Sequence, residues 1–407
     1  MFKHLSCRGV AVVALLLLTS KALAEAPDAD AAVQAALAAD PGIAELEVER
    51  ALAMGQVVDH RFLRINPELE VRHALAGTLT EASLTQPISL SGEGIHGARA
   101  AQARVEAAEA RLMRARLALA ARTRQALAGA VYAHGKAQFA SESLLLATDL
   151  RRTVEARFEA GETSMLDLRL ARLEEAEAVA AALESDREES EALQLFFALA
   201  PGFEADIEWP IDPAGVVAPV IDGDDIDERG DVAAAAADLR AATADLHQNR
   251  AAVLAPVAFG VFVERDEGGV AVGPTLSIEL PLWNHNRGGV RSAQAKIELA
   301  QLQQERVVRG LQTELRTTAA TLERAEATAQ TTGADLTGDA RIALEGLESG
   351  YQEGEWDLPT VLMLRTSIIE GQVAALQARL LLAQARIDYL LARDSRLLLV
   401  NTQEASR

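Results

Sequence analysis

The chain has 407 residues, with 60 acidic and 39 basic side chains, a formal charge of -21 and one cysteine. This balance excludes non-specific binding to nucleic acid, and a single cysteine excludes an internal disulfide and a multi-thiolate metal centre. Aromatic residues are 4% of the chain against 49% hydrophobic residues, most of them Ala and Leu, which suits long, closely packed helices better than a large compact core.

In chain order, the first segment reads as a targeting sequence. Lys3 and Arg8 form a basic start, Val10 to Leu18 is a short apolar run, and Ala22 to Ala24 offers a small-residue cleavage site. The run is too short to span a bilayer as a helix, so residues 1–24 are expected to be a cleaved secretory signal. Cys7 precedes the apolar run, whereas a lipid-bearing cysteine would follow it. Beyond residue 24 no apolar run reaches the length of a transmembrane helix. A secreted chain of this kind stays free in the periplasm, leaves the cell, or enters an outer membrane as strands.

A helix is expected over Ala36 to Gln56, and then two strands. Leu69, Val71, His73 and Leu75 share one face, as do Leu84, Gln86 and Ile88. Pro87 and the glycines at 92, 94 and 97 follow, and from Ala98 to about Ala160 there is no proline to break a helix. About 60 residues at ~1.5 Å each would reach roughly 90 Å. Val105, Ala108, Leu112, Ala115 and Leu119 step by the three-and-four pattern of coiled-coil packing. The stretch "RFEAGETSMLDLRLAR" (Arg157 to Arg172) reads as a tight turn between helices, and Pro201 to Asp227 as a linker.

The second half repeats this order. Val257, Phe259, Val261 and Val263 alternate with Ala258, Gly260 and Phe262, "RDEGG" makes a hairpin turn, and Val272, Leu276, Ile278, Leu280 and Leu282 alternate with Gly273, Thr275, Ser277 and Glu279. Each strand is expected to be about 9–11 residues, the length a tilted strand needs to cross a bilayer. "PLWNHNRGG" (Pro281 to Gly289) then leads into a helix, and "GYQEGEWDLPTVLMLR" (Gly350 to Arg365) is a second tight turn. Leu376, Leu380, Ala383, Ile387 and Leu390 again step by fours and threes.

Landmarks recur in order at nearly constant spacing. Pro67 matches Pro256, Pro87 matches Pro281, Ala101–Gln102–Ala103 matches Ala293–Gln294–Ala295, Phe158 matches Tyr351, Gly161 matches Gly354, and Arg172 matches Arg365. The chain therefore reads as a tandem repeat, with a first unit at residues 25–215 and a second at 216–407, each of a helix, a strand pair and a long helical hairpin. The fold class is α+β. Four strands cannot close a barrel, and lipid does not tolerate an open sheet edge, so strands that span a membrane require several chains to share one barrel. At the two strand–helix joints, Pro87 and Pro281 sit at strand ends, while Gly92, Gly94, Gly97, Gly288 and Gly289 let the backbone swivel. Trp283 suits a membrane edge.

The strand–Pro–Gly–helix joint, the duplicated half and the "F/Y-x-x-G" turn resemble the TolC-type outer-membrane factor family over essentially the whole chain after the signal. "PLWNHNRGG" is similar to the joint of the cobalt–zinc–cadmium resistance branch, and "ALAADPGIAELEVERALAMGQ" (Ala36 to Gln56) is similar to the family's opening helix, with Asp40–Pro41 where Asn-Pro is common. The resemblance implies a homotrimer, with a long α-helical coiled-coil barrel continuing a shared twelve-stranded outer-membrane β-barrel. It implies a periplasmic adaptor and an inner-membrane pump of the resistance–nodulation–division type as partners, and outer-membrane lipid around the strands. The turns at Phe158 to Asp167 and Tyr351 to Pro359 would form the periplasmic tip, with Gly161 and Gly354 at the reversals and Asp167, Arg172, Asp357 and Arg365 in tip charge pairs. Pro359 departs from the symmetric pattern, since the first half has Leu166 there.

No catalytic constellation and no cofactor motif is legible. His60, His73, His96, His134, His247 and His285 are scattered, with no HExxH and no pair at helical spacing. The acidic run Asp222, Asp224, Asp225 and Asp227 lacks the glycine and final glutamate of a calcium loop. The expected function is passive, gated export of metal cations or small molecules through an outer-membrane duct. The alternatives are a type I protein-secretion duct and a secreted coiled-coil structural protein.

Overall fold

The computed structural model describes residues 29–58, 66–73, 80–202, 213–216, 229–254, 256–266, 269–278, 285–332 and 336–399. The expected signal at 1–24, Pro281, Trp283 and the acidic run at 222–227 lie outside the described residues.

Two helices open the chain, α1 at Ala29–Ala39 and α2 at Pro41–Val58. The Asp40–Pro41 step works as a cap: the Asp40 carboxylate accepts from the Ile43 N–H at 2.9 Å, and Pro41 sits where no backbone donor is needed. Strands β1 (Glu68–His73) and β2 (Thr80–Ile88) follow, then the helical hairpin of α3 (Glu93–Glu159) and α4 (Met165–Leu199). The second half gives α5 (Gly230–Ala251), β3 (Val257–Asp266), β4 (Gly269–Ile278), α6 (Arg287–Thr332), α7 (Leu336–Glu353) and α8 (Leu358–Ala392). At 67 residues, α3 is about 100 Å long. It starts five residues before the expected Ala98. The helix expected to run unbroken to the second tip is described as α6 and α7, with residues 333–335 between them outside the described residues. β1 has six described residues, fewer than the expected nine to eleven.

The coiled-coil stripes hold. Val105, Ala108, Leu112 and Leu119 of α3 are buried, as are Leu376, Ala383, Ile387 and Leu390 of α8, while Ala115 and Leu380 are half-buried. Alanine dominates the buried surface of α3 and α5, so these helix axes approach closely. The largest cluster joins Val33 of α1, Leu117, Leu127 and Val131 of α3, Phe196 of α4, Ile387 and Leu390 of α8 and Leu398 beyond it. Two partly buried ion pairs pin the chain end there. Arg124 pairs with Asp30 and donates to the Leu398 carbonyl, and Arg114 donates to Asp394 and the Leu391 carbonyl, both at 2.5 Å. Part of the expected linker is not solvated: Pro213–Val216 forms a 3-10 turn, and Pro213 is fully buried.

The four strands form one antiparallel sheet in the order β1-β2-β3-β4. Register sorts the side chains cleanly. Leu69 faces Leu84, Leu84 faces Val261 and Val261 faces Pro274; Val71 faces Ala82, Ala82 faces Val263 and Val263 faces Val272. Phe259 with Leu276 and Val257 with Ile278 continue this face toward the helices. Only Gln86 interrupts it, and polar His73, Thr80 and Arg265 stand at its far end. The opposite face carries Glu68, Glu70, Arg72, Glu81, Ser83, Thr85, Glu264, Thr275 and Ser277, with Phe262 lying over Gly273 among them. The apolar face is open to the surroundings: Leu69, Val71, Phe259, Val261, Val263, Val272 and Leu276 are all exposed. Within one chain the outer edges of β1 and β4 pair with no other strand among the described residues.

Candidate functional site: strand–helix joints and hairpin tips

The first joint turns at Gly92, whose φ of 78° is left-handed. Gly94 and Gly97, expected to share the swivel, lie inside α3 instead, and Gly97 is buried. The second joint differs from expectation. Gly288 and Gly289 both fall in the first turn of α6. The left-handed residue is Asn286, at φ 47°, which stands to Pro281 as Gly92 stands to Pro87. Asparagine tolerates this region better than other non-glycine residues. Its amide donates to the Asn249 carbonyl at 2.8 Å and so ties the joint to the end of α5. Gly289 sits close to the two asparagine amides: a Cβ there would lie 2.4 Å from the Asn286 side-chain oxygen and 2.6 Å from that of Asn249, so both amides would have to shift. Pro87 is the penultimate residue of β2, opposite Ala258.

The two tips match hydrogen bond for hydrogen bond. At the first, the Gly161 N–H donates to the Phe158 carbonyl at 3.0 Å and Glu162 to Arg157 at 2.8 Å. At the second, Gly354 donates to Tyr351 at 3.1 Å and Glu355 to Gly350 at 2.8 Å. This is the Schellman closure of a helix C-terminus, and its left-handed residues are Gly161 at φ 79° and Gly354 at φ 78°. Ser164 and Asp357 then cap the following helices in the same extended conformation. Pro359, the one break in the repeat, is the second residue of α8, where a missing N–H costs nothing. The second turn therefore keeps the shape of the first.

Of the four charges expected in tip pairs, two make them. Arg172 bonds Glu155 at 2.8 Å, and Glu155 also takes Arg151 at 2.7 Å. The bond from Arg172, helped by Arg151, holds the Glu155 carboxyl below its usual range. Arg365, with a side chain only 5% exposed, reaches Glu174 of α4 at 2.9 Å and the Ser143 hydroxyl of α3 at 2.7 Å. Burial outweighs the carboxylate there and lowers the guanidinium's pKa. Asp167 is a capping residue instead. It accepts from the Ser164 hydroxyl at 2.7 Å, the Thr163 hydroxyl at 2.8 Å and the Ser164 N–H at 3.0 Å, while the Ser164 hydroxyl accepts from the Asp167 N–H at 3.1 Å. Those bonds lower its pKa. Asp357 has neither an ion pair nor a side-chain cap bond among the described residues.

Tyr351 is buried, at 4% exposure, among Leu150, Val154, Leu168, Ala171, Leu358 and Val361, with Phe158 packed against them. The exposed apolar groups at the tips are Met165, Leu166 and Trp356. Arg157 was passed over in the sequence, although it lies in the quoted turn. It donates to the Tyr351 carbonyl at 3.0 Å and the Gln352 carbonyl at 3.2 Å, and lies 5.0 Å from the centre of the Tyr351 ring. A cation on the last carbonyls of α7 is favoured by the helix dipole, and it links the two tips.

Residues 226–401 match the family model described as outer membrane efflux protein. That match covers the second half of the chain. Solved structures extend the likeness across both halves. The transmembrane channel CusC aligns over 90% of this chain and 92% of its own at a TM-score of 0.74 and 16% identity. The outer-membrane channel OprN aligns over 91% of each chain at 0.71 and 19% identity. The outer membrane protein VceC of Vibrio cholerae aligns over 90% of this chain and 96% of its own at 0.69 and 17% identity. At such identities the shared property is the fold. No curated protein matches the sequence.

Proposed function

We infer that this chain is the outer-membrane channel of a tripartite efflux system. The observation that carries the reading is the sheet. It presents an exposed, mostly apolar face of bilayer height interrupted by Gln86, an opposite, mostly polar face, and two edges unpaired among the described residues. Its ten-residue β3 and β4 reach about 33 Å. Open edges cannot stand in lipid, so three copies closing a twelve-stranded barrel, β4 of one against β1 of the next, is the assembly that fits. The long helices then extend the duct into the periplasm, after removal of a signal ending near Ala24.

The turns around Gly161 and Gly354 form the far end of that duct. With Met165, Leu166 and Trp356 exposed there, they suit docking of a periplasmic adaptor, with an inner-membrane pump of the resistance–nodulation–division type supplying the energy. Arg157, Arg172, Glu155 and Arg365 tie the hairpins together and would resist opening until the partners bind. The cargo we propose is divalent metal cations, on the likeness of "PLWNHNRGG" to the cobalt–zinc–cadmium branch.

Growth of a deletion strain across zinc, cobalt, cadmium, nickel, copper and a panel of drugs tests the cargo. Sensitivity confined to divalent metals and rescued by the intact gene is expected. Sensitivity to drugs alone overturns the metal reading and keeps the duct. Extraction of the protein by salt without detergent would overturn the duct itself.

A further inference from the structure

The scattered histidines are not all scattered in space. His96, in the first turns of α3, stacks on His247, near the end of α5, with ring centres 5.2 Å apart and planes 25° from parallel. They line a cavity of about 700 Å³ between α3 and α5, to which Gln304 of α6 also contributes. Its apolar lining is Ala103, Ala236, Leu239 and Ala244, and Gln102 and Thr243 add neutral polar groups. The ionisable groups on its wall are His96, His247, Arg99, Arg240 and Glu106. Glu106 is the one carboxylate, and it is engaged by Arg240 at 2.7 Å. Arg99 has no ion-pair partner among the described residues, and it and His247 both hold the His96 imidazole below its usual pKa, after burial. The left-handed Gly92 caps α3 four residues earlier, so the helix N-terminus adds to the positive field. His96 lies eight residues beyond the end of β2.

A lining that combines bases, no free carboxylate and apolar alanine and leucine side chains has one complementary ligand class. We propose that this cavity binds an amphiphilic organic anion, its phosphate or similar head at Arg99 and the His96–His247 pair and its apolar body against the alanine and leucine side chains. The volume is that of an ordinary small-ligand site. A divalent metal is the poorer match, because no group of three or more ligating side chains occurs among the described residues. Two sources supply such an anion: a phospholipid of the surrounding leaflet, or a soluble amphiphile of the periplasm.

The test uses the full protein in nanodiscs and follows the imidazole carbon resonances of His96 through a pH titration. An anion beside an imidazolium raises its pKa. In phosphatidylcholine discs, hexyl phosphate is expected to raise the His96 pKa, and Arg99→Gln is expected to weaken its binding by roughly tenfold. Arg306→Gln, an exposed charge on α6, is expected to leave it unchanged. If phosphatidylglycerol discs raise the pKa but hexyl phosphate does not, the site stands and its source is lipid. If hexyl phosphate alone raises it, the site stands and its source is soluble. No rise with either probe, or a rise undiminished by Arg99→Gln, overturns the proposal. Both variants sit on exposed positions, so loss of folding does not confuse the result.

Discussion

Asp167 and Arg365 put two different uses of charge within one hairpin region. Asp167 is a partly exposed carboxylate whose work is local: it closes a capping box with Ser164. Replacing it by Asn is expected to cost the first turn of α4 about 1 kcal/mol, read as roughly fivefold faster hydrogen exchange at the amides of residues 165–168. Its folded pKa is depressed, so this contribution is present above the unfolded value of 3.8 and is lost as pH falls below it through the folded value. The gap between variant and parent should therefore be full at pH 6 to 8 and close below about pH 4. Arg365 is the opposite case, a cation buried between three helices with Glu174 as its partner. Removing one member strands the other. Arg365→Ala is expected to destabilise the hairpin packing by about 3 kcal/mol, whereas Arg365→Met with Glu174→Leu recovers most of that loss. A double-mutant cycle on thermal unfolding checks it, and strict additivity of the two single effects would mean the pair is not coupled.

At the level of elements, the sheet divides its residues between two environments, and single charges should tell them apart. Val261→Lys on the apolar face is expected to cost about 2–4 kcal/mol if that face meets lipid at mid-depth, and to leave the protein out of the outer-membrane fraction. Thr275→Lys lies on the other face of the neighbouring strand and is expected to insert normally and alter conductance only. Alternation made both faces legible in the sequence, because the period of two is local. The Schellman turns were legible for the same reason: one glycine after a helical run carries the signal at Gly161 and at Gly354. Asn286 was not, because the flanking Gly288 and Gly289 advertise flexibility more loudly than a lone asparagine, and only the backbone angle separates them. The His96–His247 stack was beyond reach of spacing rules altogether, since 151 positions separate partners that α3 and α5 bring together. Arg157 fell between: its turn was recognised, but its partners are carbonyls of the other repeat.

For the whole molecule, the distribution of charge matters more than its sum. With the apolar face in lipid, the polar face lines the lumen, and there Glu68, Glu70, Glu81 and Glu264 outnumber Arg72. Arg72 bonds Glu70 at 2.8 Å and stands 3.6 Å from Glu81, so it offsets part of that charge and leaves Glu264 directly opposite Glu81. Like charges facing across strands cost the sheet stability, and a low-dielectric wall focuses their field into the water-filled channel. Reconstituted in planar bilayers, the channel should therefore pass cations in preference to anions, read as a reversal potential under a salt gradient. The preference should fall as salt rises from 0.1 to 1 M, because the screening length shrinks from about 10 Å to about 3 Å. Replacing Glu81 and Glu264 by Gln should move the reversal potential toward zero without changing how much protein reaches the membrane. An unchanged reversal potential in that variant would place the selective charges outside the sheet.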